Sequence, residues 1–338
     1  MRNVPVYVGL DYHQESIRVC VLTEDGKQLV NRDVINDVEA VRRLVARYGT
    51  PRLVGIEACC GAANFAHSLQ KRTRWSVKLA HPGYVHRLKK TVDKTDRGDA
   101  FLLADLARSG YLPQVWLAPD ETRELRDVVR YRQQLVADRK NVKLRIRSML
   151  RDHRVVTQAS AWTKTWRAEM LAASMSDHSR WVLEQQWNRL DQLSVEIARV
   201  EKRMEEITAD DPLVQKLRTQ PGIGLITAVT LRAEVGQFER FKNGKQFSRY
   251  CGLTPWNVSS GKRQADAGLV PCGPPALRAL LIQAAKRLQR HEPRWQELTQ
   301  RLRRTKPANV VTAAVANRWL RWLYYQMLMP EGVQLTAC

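Results

Sequence analysis

Two acidic residues sit in apolar stretches, and two more share a helix start. Asp11 interrupts the run VYVGLDY, and Glu57 closes the short apolar stretch LVGIEA. Asp96 and Asp99, within KTDRGDA, are three residues apart, a spacing that places both on one face at the start of a helix. A carboxylate ending an apolar strand is costly to bury unless it is paired or bound to metal. Four such groups converging on two divalent ions, Mg²⁺ or Mn²⁺, suit phosphodiester cleavage or transfer, in which the ions activate the attacking oxygen and stabilise the leaving one. Spacing alone also allows Asp96 as a helix cap, Asp11 and Glu57 in salt bridges, and Asp93 or Asp105 as competitors for the same role.

A second chemistry is offered late in the chain. The segment YCGLTPWNVSSGKRQADAGLVPCGPPALRALL carries Ser259 and Ser260, followed by Gly261, Lys262 and Arg263. Serine beside glycine and cations is a candidate nucleophile on phosphorus, with the cations holding the phosphate and lowering the effective pKa of the hydroxyl. Ser-Ser-Gly is also common loop chemistry. Upstream, the PGIG turn at 221–224 would let the amides of Gly222 and Gly224 meet a nucleic-acid phosphate, an ordinary helix C-cap being the plain alternative. Trp162, Trp166, Trp181, Trp187, Trp319, Trp322, Tyr324 and Tyr325 have the means to stack bases. At helical spacing aromatics more often form cores, and no site is assigned to them.

The elements that must position these groups are readable from periodicity. Residues 5–35 alternate as half-buried strands around the turn Glu24-Asp25-Gly26, which predicts a three-stranded antiparallel meander. Helices and short strands then alternate up to a helix beginning near Asp96, giving a mixed α/β sheet of the RNase H-like kind. The alternative use of such a sheet, in actin-like ATPases and sugar kinases, needs a glycine-rich phosphate hairpin after the first strand. Tyr12-His13-Gln14-Glu15-Ser16 offers none.

From Asp120 to about Arg154 there is neither Pro nor Gly, and one long basic helix is expected. Its Arg123, Arg126, Arg130, Arg139, Lys140, Lys143 and Arg147 are candidate nucleic-acid contacts. A second helix, from about His178 to Thr208, carries Leu183, Trp187, Leu190, Leu193, Ile197, Val200, Met204 and Ile207 as a heptad seam, which suits either a helical hairpin or a dimerising coiled coil. The remainder, from Asp211, reads as a small, mainly helical domain with glycine-rich interruptions. The expected boundaries are therefore 1–118, 119–210 and 211–338.

With 338 residues and 44% hydrophobic content the chain can bury a core, and wholesale disorder is excluded. Lys and Arg number 56 against 34 acidic residues, a formal net charge of +22, which points to a polyanionic partner. No apolar run reaches the roughly 18–20 residues of a membrane span. The six cysteines show no CxxC and no zinc-ligand spacing, and are read as reduced thiols of a cytoplasmic protein.

Taken in order, GLD, GIEA, KTDRGDAFLLADLA, the basic helix, LRTQPGIGLITAVTLRAEVGQF, YCGLTPWNVSSGK and CGPPALRALL resemble the bridge-RNA-guided insertion-sequence transposases, over about residues 7–281. These join an N-terminal DEDD RuvC-like domain to a C-terminal serine transposase domain. The resemblance implies that Asp11, Glu57, Asp96 and Asp99 bind the metal, and that Ser260, or else Ser259, is the nucleophile. It further implies donor and target DNA as substrates, a structured noncoding bridge RNA as guide, a homodimer or a tetramer of two dimers, and a bacterial cytoplasmic or nucleoid setting. Pro271-Cys272 stands where the family often has a Lys-Arg pair. Two other functions compete: a RuvC-like junction nuclease in which the serines are structural, and a non-catalytic nucleic-acid-binding protein.

Overall fold

The computed structural model describes residues 4–88, 96–258 and 266–330. The chain divides into two compact units, Met1–Pro119 and Asp120–Cys338.

The first unit is built on a six-stranded mixed sheet. Strands β1 (Pro5–Tyr12), β2 (Ser16–Leu22) and β3 (Gln28–Ile35) form the antiparallel meander, turned between β2 and β3 by Gly26 at φ +88°. Helix α1 (Val38–Ala46), capped by the Asp37 side chain, leads to β4 (Thr50–Glu57), which pairs parallel to β1. Helix α2 (Ala62–Thr73), β5 (Val77–Ala80), α3 (Pro82–Leu88), α4 (Asp96–Ser109) and β6 (Gln114–Val115) complete the order β3-β2-β1-β4-β5-β6. The very short α3 and β6 carry too few residues to show a period in the sequence.

Alternation decides what each sheet face meets. Val6, Val8 and Leu10 of β1 are fully buried in a cluster with Val41 and Leu44 of α1 and Phe65 and Leu69 of α2. Each such side chain contributes about 1.5–3 kcal/mol by leaving water. The opposite face is covered by α4, whose Ala100 and Ala104 pack with Cys20 and Leu22. Here Gly9 is required, because a Cβ on it would lie 2.0 Å from the Ala100 carbonyl oxygen and 2.4 Å from the Ala104 nitrogen. Its register partner Gly55 meets α4 less closely, a Cβ there coming 3.2 Å from the Leu103 carbonyl oxygen.

The second unit opens with α5 (Asp120–Asp152), α6 (Lys164–Ala172) and α7 (Asp177–Ile207). The heptad seam is satisfied inside the chain: Leu183, Trp187, Leu190, Leu193 and Ile197 bury against Leu135, Val142, Ile146 and Leu150 of α5, with Trp166 and Met170 of α6 closing the end. Ile207, at the end of the seam, is 39% exposed. Helices α8 (Pro212–Arg218), α9 (Leu225–Val235) and α10 (Gly244–Tyr250) follow, then strands β7 (Pro255–Asn257) and β8 (Asp266–Leu269), and α11 (Pro275–His291), α12 (Pro293–Arg303) and α13 (Ala308–Leu328). Their shared core contains Phe238, Phe247, Leu281, Val315 and Trp319. No helix among the described residues is long and apolar enough to cross a membrane.

Candidate metal centre and basic surfaces

Two glycine-x-acid steps build the acidic site. Side chains two apart on a strand share a face, so Asp11 follows Gly9 and Glu57 follows Gly55 onto the side of the sheet that α4 covers. The first turn of α4 brings Asp96 and the buried Asp99 to the same end. Asn31 of β3 donates a 2.9 Å hydrogen bond to the Arg97 carbonyl and ties that turn to the sheet.

Asp11, His13 and Asp96 present ligand atoms that all lie within 4.8 Å of one another. His13 Nε2 is 3.2 Å from Asp11 Oδ2 and 3.7 Å from Asp96 Oδ2. The Asp11 side chain is only 15% exposed. Burial pushes its carboxyl above the usual range against the opposing charge of His13, and the like charges of Asp99 and Asp96 push it further. Burial likewise raises the Cys59 thiol, and the charges of both Glu57 and Asp11 raise it more, so these two acids share one neighbourhood. A hard divalent cation fits this set: its ligands are carboxylate oxygens, and its charge would offset the burial and the like charges that raise Asp11.

The structure thus brings Asp11, Asp96 and Asp99 together at the strand ends with Glu57 on the adjoining strand. It adds His13, which sequence reasoning missed. The available signal was its place two residues after Asp11. Of the competitors, Asp105 is held by Arg108 at 2.6 Å, and Asp93 lies outside the described residues.

The basic helix is not a uniform phosphate surface. Arg126 donates at 2.6 Å to the Ala233 carbonyl, and Arg130 donates at 3.1 and 3.3 Å to both carboxylate oxygens of Glu234, which is 3% exposed. Arg123 reaches Asp120 across one turn. These three therefore have partners within the chain, at positions where the sequence suggested phosphate contacts. Further along, Lys143 and Arg147 lie 4.5 and 5.4 Å from the Trp162 ring centroid, while Lys140 and Arg147 are exposed and Arg139 half-buried.

At the PGIG turn, Gly222 has φ +79° and abuts Leu288 of α11, whereas Gly224 precedes α9 with open space where a Cβ would be. Ser259, Ser260, Lys262 and Arg263, between β7 and β8, lie outside the described residues. Trp162, Trp166 and Trp187 contact one another, and Trp319 is fully buried, so these rings are structural.

Residues 8–154 match the transposase family DEDD_Tnp_IS110, and residues 214–300 match the family described as Transposase IS116/IS110/IS902. The chain is similar to a "Probable family 20 transposase" of Pseudomonas aeruginosa, 30% identical over 81% of this chain and 83% of that protein. It is also similar to the transposase for insertion sequence element IS1111A of Coxiella burnetii, at 25% over 86% of this chain and 79% of the relative. The transposase for IS1328 of Yersinia enterocolitica is 24% identical over 95% of this chain and 96% of its own length.

Proposed function

The chain belongs to the IS116/IS110/IS902 family of insertion-sequence transposases, and on that premise we propose that it exchanges DNA strands through a serine-linked intermediate, aided by its acidic site and directed by a guide RNA. Family membership makes it a DNA-transfer enzyme. The observation that supports the metal-assisted part of this reading is the convergence of Asp11, Asp96 and Asp99 at the strand ends, with Glu57 on the adjoining strand; the serine and the guide RNA rest on the family resemblance. A bound cation would offset both the burial that raises the Asp11 carboxyl and the like charges of Asp99 and Asp96 beside it.

Asp11, Glu57, Asp96 and Asp99 would hold Mg²⁺ or Mn²⁺, with His13 beside them. When bound, the metal supplies charge stabilisation at phosphate oxygens. In the proposed reaction Ser260 Oγ, or failing it Ser259 Oγ, forms a bond to phosphorus as the bond from phosphorus to the 3′-oxygen breaks. The hydroxyl proton passes to that oxygen and leaves a free 3′-hydroxyl. A 3′-hydroxyl of the second duplex then displaces the serine, restoring the diester and the protonated side chain. The covalent link conserves the phosphodiester bond energy that hydrolysis would dissipate, so no nucleotide cofactor is needed.

On this reading residues 1–118 supply the acids, 119–210 the helical arm and 211–338 the serine. Lys262, Arg263 and the amides of Gly222 and Gly224 hold phosphates, as do Arg139, Lys140, Lys143 and Arg147. Donor and target duplexes are selected by pairing with a structured bridge RNA. Two protomers, or two dimers, hold the two duplexes, by surfaces other than the occupied seam of α7.

The test is to incubate the protein, its element-end RNA and labelled donor DNA with Mg²⁺ and resolve the mixture on a denaturing gel. Label attached to protein, lost in Ser260→Ala, is the expected result. Cleaved DNA without an adduct would replace the serine mechanism by metal-dependent hydrolysis.

A further inference from the structure

The C-terminal helices carry a further concave feature, distant in sequence from the four acids. Between the β7–β8 hairpin, α11 and α13 lies a cavity of about 940 Å³. Its walls include Leu253, Leu269, Ile282 and Val310, and its rim carries Lys286, Lys306, Arg318 and Arg321. No carboxylate is among the described residues that line it, and none of these four exposed cations forms an ion pair with a described residue. This differs from α5, where buried or neighbouring acids take up Arg123, Arg126 and Arg130.

Arg318 and Arg321 also border a second cavity, of about 1010 Å³, walled by Trp295, Leu298, Trp322 and Tyr325, and carrying Arg301, one carboxylate, Glu297, and Arg294, whose guanidinium lies 5.1 and 5.7 Å from the Trp295 and Trp322 ring centroids. Three residues apart on α13, the two arginines share one helix face, so they form a cationic ridge between an apolar cavity and an aromatic one. Tyr325 is 47% exposed on the far side.

We propose that this double groove binds a single strand of DNA, with its phosphates on the Arg318–Arg321 ridge and unstacked bases in the cavities on either side. A duplex would present only phosphates and leave the apolar walls unused, whereas a single strand offers bases to apolar and aromatic surfaces and phosphates to the cations between them. DNA is the strand in question because the family transfers DNA, and strand transfer frees single-stranded segments as they pass between duplexes. The inference rests on that family activity and needs neither the serine nor the metal chemistry proposed above.

The test is fluorescence anisotropy of the full-length protein with short labelled oligothymidylate, the matching duplex, an abasic oligonucleotide and oligouridylate. Arg318→Gln/Arg321→Gln is expected to weaken oligothymidylate binding about tenfold and to lower the slope of log affinity against log salt by about 1.4, the single-strand value for two phosphates. Tyr325→Ala, and Ala313→Phe in the apolar cavity, should weaken it about fivefold or more with the slope unchanged, and should leave the abasic oligonucleotide unaffected. Thermal melts establish that each variant is folded; should Ala313→Phe disturb α13, the exposed Tyr325 carries the base-contact test. Wild-type affinity in these variants overturns the proposal. So does an equal loss for duplex and strand, which would mark a generic basic surface, and so does a loss confined to oligouridylate, which would assign the groove to RNA.

Discussion

At the scale of single residues, Asp11 concentrates the tension of the first unit. Its carboxyl is buried, faces Asp96 and Asp99, and has the partly exposed His13 as its partner at 3.2 Å. Without metal the site therefore opposes folding, and Asp11→Asn removes a buried like charge without changing shape. We expect that variant to melt at a higher temperature than the parent in chelator, by about 1–2 °C for each kcal/mol relieved in a chain of this length. Added Mn²⁺ should raise the parent's melting temperature and leave the variant's almost unmoved. A parent unaffected by Mn²⁺ would mean that the acids hold no cation. In strand transfer the same substitution, or Glu57→Gln, should cost roughly two orders of magnitude or more while DNA affinity persists, because a charge stabiliser is lost and no binding cation is. Retained transfer in both variants would remove the acids from the reaction. His13 shows what residue types alone conceal: a histidine in a turn is ambiguous until the strand that precedes it fixes where its ring goes.

Elements hold these residues, and their contacts explain both what periodicity revealed and what it hid. Gly9 admits α4 to the sheet, so Gly9→Ala should displace the helix that carries Asp96 and Asp99. We expect a loss of about 1–3 kcal/mol or more in chemical denaturation, with strand transfer falling further than stability alone explains. A normal variant would show that α4 can shift freely. The meander, the parallel β4 and the two long helices were legible because alternation and heptad spacing are local patterns. The placement of Asp11 and Glu57 was legible because a carboxylate in an apolar strand stands out, and that of Asp96 and Asp99 because their spacing of three puts both in the first turn of a helix. The partner of the α7 seam was not, since a heptad stripe is the same whether its hole lies on α5 or on another chain. Nor were the duties of Arg126 and Arg130, because Glu234 is more than a hundred positions away. Glu234→Ala would leave Arg126, largely buried and lowered in pKa by that burial, without its carboxylate. That should cost about 3–5 kcal/mol in urea unfolding. A cost below 1 kcal/mol would mean that water replaces the carboxylate.

For the whole molecule, a net charge of +22 sets how it meets polyanions but does not say which cations do so. Each phosphate neutralised on duplex DNA releases counterions and steepens the fall of affinity with salt by about 0.9 in logarithmic slope. Only cations not already committed within the chain can add to that slope. Arg126, Arg130 and Arg132 are committed, the first two to residues of α9 and the third to Glu201 of α7 at 2.6 Å. Arg139, Lys140 and Arg147 form no ion pair with a described residue, and on the proposed function they are the cations that would meet a duplex. Titrating labelled duplex across a salt series should therefore give a slope smaller by about 2–3 for Arg139→Gln/Lys140→Gln/Arg147→Gln. Arg132→Gln should leave the slope at the parental value while lowering the denaturation midpoint. Were the two variants to change the slope equally, ion pairing in the free protein would not govern which cations reach DNA. The binding surface would then have to be sought in a rearrangement of the helical arm on contact with its substrate.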